Sequence, residues 1–564
     1  ARIKGTVKVN TVAGATPELL PGARLTLTNR DLPAQVFKTM SDDGGTFIFS
    51  DLPAAIFVLR VEGDGLPKVT REINLTSGAT LTVEIVMTAT LSESVTIRQE
   101  EGLLSTSETT TSNTIRSETL NDTPLRAENF QSAALLTPGV VRSNDGLDHL
   151  KGARAGQSAY TINGADITDP ATGNLAFDLP LEAAANVRVE ENPYSAEFGR
   201  LTGGATELET KSGSNKFNFT AARFFPTFRH ILGGPIDSFR PRVTFSGPII
   251  RDRFFFLQSF EYRFTRARVP SLKAPADYST FVAFNSFTQF DYKISKNHSA
   301  KLAMAFFPEN DRFVGLNTFN PQSASPNVTR RGSLFSLSEQ AIFGDGSFLD
   351  SRLSFGANSF VVSGLRTRPL ELLPEGNTGN YFADIRRQSR RLQWQESYYA
   401  HPFQFYGEHS FKVGSEIDYK HTEGFLHADP ILIRRPDNTL ARRIEFVGTH
   451  TLSRSLREYS AFAQDRWIIT QKFTLDAGVR FDRDALARKS NVAPRLSFIY
   501  RPLKEPVVII RGGVGIFTDR APLSVGYFAQ LPGRVVTTYA EDGSSIIDGP
   551  RAFTHVRGSR LRNP

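Results

Sequence analysis

The chain contains no cysteine, only three methionines and two tryptophans in 564 residues. Without cysteine there is neither a disulfide framework nor a thiolate metal site, and stability does not depend on an oxidising compartment. No run of about 18 apolar residues occurs, which excludes a membrane-spanning helix. The opening Ala1-Arg2-Ile3-Lys4 has no apolar signal core. That start fits a cytoplasmic protein or one whose signal was removed, and the strand pattern below favours removal. Lys plus Arg exceed Asp plus Glu by 66 to 58, yet no Lys/Arg block exists. The arginines alternate along strand-like segments instead, which argues against nucleic acid as a partner. Nucleophile–base motifs and the H-E-x-x-H or H-x-x-E spacings are also missing. We therefore expect no enzyme, no catalytic residue, no cofactor and no bound metal.

What is abundant is phenylalanine, 45 residues of it. High aromatic and low methionine content favours β structure over helical packing. Residues 1–90 carry short alternating runs at Gly5 to Val9, Ala23 to Thr28, Thr46 to Phe49, Ile56 to Val61 and Leu81 to Met87. Turn signals, Pro21-Gly22 and Asp42-Asp43-Gly44-Gly45, separate them, as in a small sandwich. In the last run Leu81, Val83, Ile85 and Met87 should share one face. The pattern G-T-V, P-G-A-R-L-T-L-T, D-D-G-G-T-F-I-F-S-D-L-P resembles the carboxypeptidase regulatory-like domain, which implies a transthyretin-like β-sandwich. Peptidase activity is not expected, because residues 1–90 hold no histidine to bind zinc.

Residues 91–121 are rich in Ser, Thr and Glu and read as a mobile tether. At its head Ser92 to Arg98 is a short β-prone segment suited to joining another protein's sheet edge. It resembles the TonB box of TonB-dependent outer-membrane receptors. The resemblance makes Glu93, Ser94, Val95, Thr96 and Ile97 the candidate partner-binding residues. A last sandwich strand or plain linker is the alternative.

Residues 122–214 read as a compact α+β unit. Phe130 to Leu136 suits a short helix stopped before Pro138-Gly139, Tyr160 to Ile162 a strand, Asn163-Gly164 a turn, and Ala184 to Val189 a second strand. The words L-L-T-P-G-V, L-K-G-A-R-A-G-Q-S-A-Y-T-I-N-G-A-D and Y-S-A-E-F-G-R-L-T-G-G-A-T-E-L-E-T-K-S-G-S-N-K-F resemble the plug domain of Oar-like TonB-dependent receptors. Leu208-Glu209 departs from that pattern, where small or branched residues are more usual. A plug must meet a polar barrel lumen. Glu197, Arg200, Gly203 and Gly204 are therefore the candidate plug–wall contacts, with Tyr194 to Gly204 read as the last plug strand and turn. A phosphate loop at Gly199 to Gly204 is disfavoured, since no lysine directly follows the glycines.

From residue 215 to 564 period-2 alternation is sustained, as in Phe473 to Asp482, Phe411 to Lys420 and Ser351 to Val361. No helices intervene, and segments of ten residues or more are long enough to cross a bilayer at a tilt. Aromatics at strand ends, Phe254-Phe255-Phe256, Tyr398-Tyr399, Trp467 and Tyr500, suggest an interfacial girdle. The words F-S-G-P-I-I-R-D-R-F-F-F-L-Q-S-F-E, Y-S-A-F-A-Q-D-R-W, L-D-A-G-V-R-F-D, A-P-R-L-S-F and R-G-G-V-G-I-F resemble the Oar-like barrel. Long polar segments, Pro308 to Arg331, Arg366 to Asp384, Gly424 to Ser455 and Thr518 to Pro564, read as extracellular loops. Gly344-Asp345-Gly346 reads as a short periplasmic turn. His421 and His427 beside Asp429 read as solvated loop residues rather than metal ligands. Roughly a dozen strands fit this length, against about 22 in plugged transporters.

The fold class expected is therefore mainly β. It comprises a transthyretin-like sandwich (1–90), a tether (91–121), an α+β plug (122–214) and the first part of a transmembrane antiparallel β-barrel (215–564), incomplete in this chain. The family resemblance implies a TonB-dependent transporter taking up an unidentified extracellular ligand, located in the bacterial outer membrane with its N-terminal domain in the periplasm. Expected partners are TonB, outer-membrane lipid and the ligand, with no nucleic acid; the remaining barrel strands are either absent from this sequence, unbuilt, or supplied by another polypeptide. A surface structural or adhesive protein anchored by the same barrel is the alternative.

Overall fold

The computed structural model describes the chain except for residues 1, 11–17, 31–34, 51, 54, 64–67, 76–79, 89–95, 98–108, 111, 118, 120–122, 124–129, 143–147, 155, 177–178, 192–193, 229–234, 366, 471, 504–507 and 556–564. Strands dominate; among the described residues, the helices Phe130–Ala134 and Leu523–Tyr527 are five residues each.

At the N-terminus two sheets face each other. Arg2–Asn10 lies between Thr46–Phe49, antiparallel, and Thr80–Thr88, parallel. The second sheet runs Val36–Met40, Arg24–Asn29, Ala55–Glu62, Val69–Leu75, Thr96–Ile97. Alternation buries Ile3, Leu25, Leu27, Phe57, Leu59 and Ile85 in one core between them. Val83, Ile85 and Met87 are buried and Leu81 packs against that core, on the face expected. Glu18–Leu19, Val36–Met40 and Val69–Leu75 are additional strands.

Next comes a five-stranded mixed sheet, in the order Ser112–Arg116, Ala184–Glu190, Gly204–Thr210, Ser158–Ile162, Ala165–Asp166. Asn163 and Gly164 turn between the last two with φ of 48° and 79°, the left-handed pair of a tight hairpin. Two expectations are corrected here. Ser112–Arg116 lies inside the stretch read as a tether, yet it pairs along its whole length, with Ile115 buried. The last strand of this unit is Gly204–Thr210, whereas 194–203 is loop. Its alternation A-T-E-L-E-T was the signal, and Leu208 is fully buried.

The remainder forms one antiparallel sheet whose main path has thirteen strands, from Asn218–Ala222 to Ile510–Gly515. Strands of 15 to 21 residues, such as Phe254–Arg268 and Glu408–Ala428, exceed the nine to eleven or so needed to cross a bilayer. One face alternates Phe, Leu and Val outward; the other carries buried Ser259, Glu261, Asn285, Gln289, Ser336 and Gln393. That inner face contacts the segments joining the strands of the five-stranded unit, from Arg242 on Glu182 round to Arg495 on Ser195, so the wall curves around it. Among the described residues, the two end strands Asn218–Ala222 and Ile510–Gly515 do not pair with each other.

The two ends of the wall differ. Short turns at 251–253, 294–297, 343–347 and 400–407 mark one end, and the sandwich lies there. Lys4 meets Glu408 at 3.0 Å and Lys293 sits over the Phe37 ring. At the other end three long connections build a separate sheet, Leu370–Leu372, Ile431–Arg434, Leu440–Val447, Gly533–Tyr539, Ile546–Phe553. All four aromatic sites expected to form girdles lie at the short-turn end; Tyr399 stacks on Phe348 with ring centroids 4.2 Å apart.

Gly5 sits between two partner strands, and a Cβ there would fall 1.9 Å from the Val83 carbonyl oxygen and 2.8 Å from the Phe47 ring. Gly5→Ala should therefore destabilise the sandwich by at least about 1–3 kcal/mol. Thermal melting followed by limited proteolysis of residues 2–88 reads this; unchanged protection would contradict the packing.

Candidate functional site

The densest chemistry lies where the five-stranded sheet meets the inner face of the wall. The 194–203 loop, connecting two of its strands, is held by side chains from four wall strands. Arg495 donates to the carbonyls of Ser195 and Phe198 at 2.5 and 2.6 Å. Arg480 donates to the Glu197 carbonyl at 2.8 Å, and the Gln464 side-chain oxygen accepts from the Ala196 N–H at 2.8 Å. Glu197 is ion-paired with Lys412. Gly199 admits the Arg480 guanidinium, since a Cβ there would lie 1.9 Å from its Nε. Arg200 follows at φ 56°, a left-handed conformation that turns its side chain into the wall.

Arg200 donates to Glu458 at 2.6 Å and to the Ser460 hydroxyl at 2.9 Å, with Asp482 and Asp418 at 3.6 and 3.7 Å. Glu458 also takes Lys420, which reaches Asp418 at 3.1 Å. Asp418 meets Arg391 at 3.4 Å, and Arg391 meets Asp166 of the five-stranded sheet at 2.5 Å. Asp166 in turn takes Arg520 at 2.6 Å. Arg480 closes the other flank on Asp482 and Glu416 at 3.0 and 3.3 Å. Five cations and five carboxylates thus share one buried chain of contacts. Balance matters, because a net charge at this depth would be costly to hold away from water.

The titration of the inner groups follows their neighbours. Burial alone would raise the Asp166 carboxyl; Arg391 and Arg520 outweigh it and hold Asp166 well below the usual carboxylate range. Burial opposes the charge on Arg200 too, but Glu458 and the neighbouring carboxylates raise it above its ordinary value. For Glu197, Lys412 overcomes burial and lowers the carboxyl. Glu207 behaves oppositely. Burial, then Glu209, push it up to about 7, with Arg188 and Arg352 only partly compensating.

The opposite side of the unit is apolar. Leu208, Ile162 and Leu179 share one core cluster with the wall residues Leu257, Phe287, Ala303, Ala305, Phe307 and Leu334. Toward the long-loop end, the segment after Ile510–Gly515 crosses onto the same unit. Leu523 and Ser524 donate their N–H groups to the carbonyls of Pro170 and Ala171 at 3.0 and 3.1 Å. Asp519 accepts from Gln157 at 2.7 Å, and Arg387 holds Asp169 at 2.5 Å.

Of the residues singled out from the sequence, Glu197 and Arg200 lie on the wall. Gly203 and Gly204 do not. Their close neighbours are Ala153, Ser158, Glu190 and Leu150 within the five-stranded unit; the glycines pressed against the wall are Gly164, Gly199 and Gly213, where a Cβ would fall 2.3 Å from the Arg352 guanidinium, 1.9 Å from Arg480 Nε and 2.6 Å from the Phe256 carbonyl oxygen. Gly512 and Gly513 of the R-G-G-V-G word lie against the Phe498 and Tyr194 rings. Glu93, Ser94 and Val95 lie outside the described residues, while Thr96–Ile97 pairs in parallel with Thr70 and Arg71 of the sandwich. Sequence reading missed Asp166, Asp169 and their wall partners. The signal was present: charges at alternate positions of otherwise apolar strands, as in Asp418-Tyr419-Lys420 and Arg480-Phe481-Asp482. Among the described residues no cluster of three or more His, Asp or Glu could hold a metal ion.

A wall of bilayer-length antiparallel strands, apolar outside and charged inside around a folded unit, defines an outer-membrane β-barrel protein. The chain belongs to the family described as TonB dependent receptor-like, beta-barrel, whose pattern matches residues 106–516. Residues 2–88 match the carboxypeptidase regulatory-like domain. It is similar to the TonB-dependent transporter Oar of Myxococcus xanthus, 24% identical over 483 residues, covering 63% of this chain and 45% of that protein. The chain thus spans less than half the length of this curated relative. The outer membrane transporter YddB from Escherichia coli has the same fold, with a TM-score of 0.59 and 15% identity over 74% of this chain and 62% of that one. So does the siderophore receptor PirA from Acinetobacter baumannii, with a TM-score of 0.55 and 16% identity over 76% and 68% of the two chains.

Removing one partner of a buried pair strands the others. Arg200→Ala should cost about 3–5 kcal/mol, read as lowered urea resistance of the detergent-solubilised protein; a change under about 0.5 kcal/mol would show that the network is not coupled as described. Glu207 sets a second expectation. Its folded value of about 7 lies above its ordinary 4.5, so its charge opposes folding increasingly from about pH 4.5 to 7 and fully above. Glu207→Gln should raise stability by on the order of 1–3 kcal/mol at pH 8 and leave it unchanged at pH 4. Equal effects at both pH values would refute that assignment.

Proposed function

We propose that the chain is a TonB-dependent outer-membrane transporter in which the five-stranded unit is the plug and the wall is part of the barrel. The observation that carries this reading is the ionic contact running from Arg200 to Asp166 between that unit and the lumen face. Such a contact holds a filler in place and can be released without breaking covalent bonds. Only the family relationship supports a ligand outside the cell and TonB within the periplasm, and the ligand is unidentified. The surface structural or adhesive alternative gains no support from the comparisons.

The N-terminal sandwich lies at the short-turn end, which is the periplasmic end by the usual barrel pattern. Ser92 to Arg98 is the proposed handle. Thr96–Ile97 is the last strand of its sheet, so a TonB strand would add beyond it or displace it. From there the chain passes Thr109, whose hydroxyl contacts Asp476 at 2.5 Å and Ser497 at 3.1 Å. It then becomes Ser112–Arg116, the edge strand of the plug sheet. Tension on the handle would thus reach an edge strand first, along the ionic side of the lumen. Among the described residues the two end strands of the wall pair on one side only, and in lipid such edges need partner strands, from this or another polypeptide.

Because the chain has no native cysteine, Val95→Cys provides a unique thiol. It should crosslink to single-cysteine variants of the TonB periplasmic domain, and deletion of Glu93 to Ile97 should abolish TonB capture and uptake while leaving the protein in the outer membrane. Unimpaired capture by the deletion variant would sink the handle assignment.

A further inference from the structure

The outward face of the wall carries an ordered set of arginines near the long-loop end. Arg266 opposes Thr280, and Thr280 opposes Arg312, so these two arginines share one row. Following the strand order, Arg331 lies four residues lower in register, Arg390 two lower again, then Arg457 and Arg483 two lower each. The descent is monotonic, ten residues over eight strand steps. At about 3.4 Å per residue and about 4.8 Å per strand this corresponds to a slope of about 40°. Membrane barrel strands tilt by roughly 35–45°. A line that falls at the tilt angle relative to the strands runs at constant height around the barrel. Five of the six therefore sit close to one level, and Arg312, in the same row as Arg266 but two strands on, stands about 6 Å above it.

Their surroundings share a pattern. Next below four of them on the same face come Phe264, Leu392, Tyr459 and Phe481, the start of the apolar belt, whereas Asn310 and Ser333 lie below Arg312 and Arg331. None of the six is paired with a carboxylate among the described residues: Arg457 lies over the Tyr419 ring, Arg266 over Tyr278, and Arg483 donates to the Ser490 hydroxyl at 2.9 Å. Glu423 is the nearby outward acid, 3.6 Å from His421. Arg268 and Arg386, slightly higher, are already neutralised by Asp277 and Asp384. At the opposite end the outward strand positions carry Glu339, Glu396 and Asp465 instead.

We propose that this ring of arginines binds the phosphate groups of a phosphorylated glycolipid in the leaflet on the long-loop side. Guanidinium groups match phosphate geometry with paired N–H donors, and the apolar side chains directly beneath receive the acyl chains. Charge complementarity selects the occupant, since the ammonium group of a zwitterionic lipid offsets the attraction of its single phosphate, whereas a lipid with several phosphates and no cation does not. The inference rests on the outer-membrane placement and is independent of transport.

The test uses the full chain in detergent, with native mass spectrometry counting retained lipid. Lipid A bearing both phosphates is compared with the same lipid enzymatically stripped of phosphate. The unaltered protein should retain the phosphorylated form about tenfold better, the scale of two or three exposed charge pairs acting together. Arg390→Gln, Arg457→Gln and Arg483→Gln combined should abolish that preference, whereas Glu339→Gln, Glu396→Gln and Asp465→Asn combined should keep it. Equal retention of the two lipids by the unaltered protein, or a preference that survives in the triple arginine variant, overturns the proposal. Insertion of the unaltered protein into phosphatidylcholine nanodiscs reads membrane placement separately, so a failure there is distinguishable from loss of lipid preference.

Discussion

A charge taken out of water must meet an opposite charge or lose its ionisation, and that constraint shapes the centre of this protein. Arg200, Arg391, Lys420, Arg480 and Arg520 are deeply placed, and each has a carboxylate within 3.1 Å or less apart from looser secondary contacts. Because the partners belong to different strands and to two separate sheets, the network specifies how the five-stranded unit sits within the wall. A rotation of the unit would break several pairs together. Fit by apolar contact alone would tolerate sliding; paired charges of fixed position do not.

The lipid-facing side obeys the complementary constraint. Backbone groups there have no water to turn to, so the strands pair over nearly their whole length, as the seventeen consecutive partners between Ala383–Tyr399 and Glu408–Ala428 illustrate. One alternation serves both demands. Even positions of Glu408–Ala428 place Lys412, Glu416, Asp418 and Lys420 inward, while Phe411, Val413, Ile417 and Tyr419 face outward. The network and the membrane surface are thus two readings of one period-2 pattern.

That pattern is why so much is legible in the sequence. The wall strands, the sandwich core of Val83, Ile85 and Met87, and the wall position of Glu197 and Arg200 follow from period and from the need for polar lumen contacts. The misplacements have physical causes. Ser112–Arg116 has the Ser, Asn and Thr of a linker, and only its pairing with Ala184–Glu190 makes it a strand. Gly203 and Gly204 were assigned to the wall because glycine signals close approach, but composition does not say to what. Asp166 and Arg391 are 225 positions apart in sequence, so no local signal links them. Aromatic residues at strand ends were visible; that the named ones all gather at one end required the register.

The two sides of the central unit differ in what water does when they part. Opening the apolar side, at the core cluster that Leu208 shares with Phe287 and Leu334 of the wall, would expose hydrocarbon with nothing gained in return. Opening the ionic side would wet five guanidinium or ammonium groups and five carboxylates, whose regained hydration offsets much of the lost pairing. The first water to enter the lumen therefore has a preferred route, between the 194–203 loop and the strands carrying Asp418, Glu458 and Asp482. In the transport reading proposed above, a solute following that water would travel past charged walls rather than apolar ones, so the asymmetry of the contact would set the polarity of the passage.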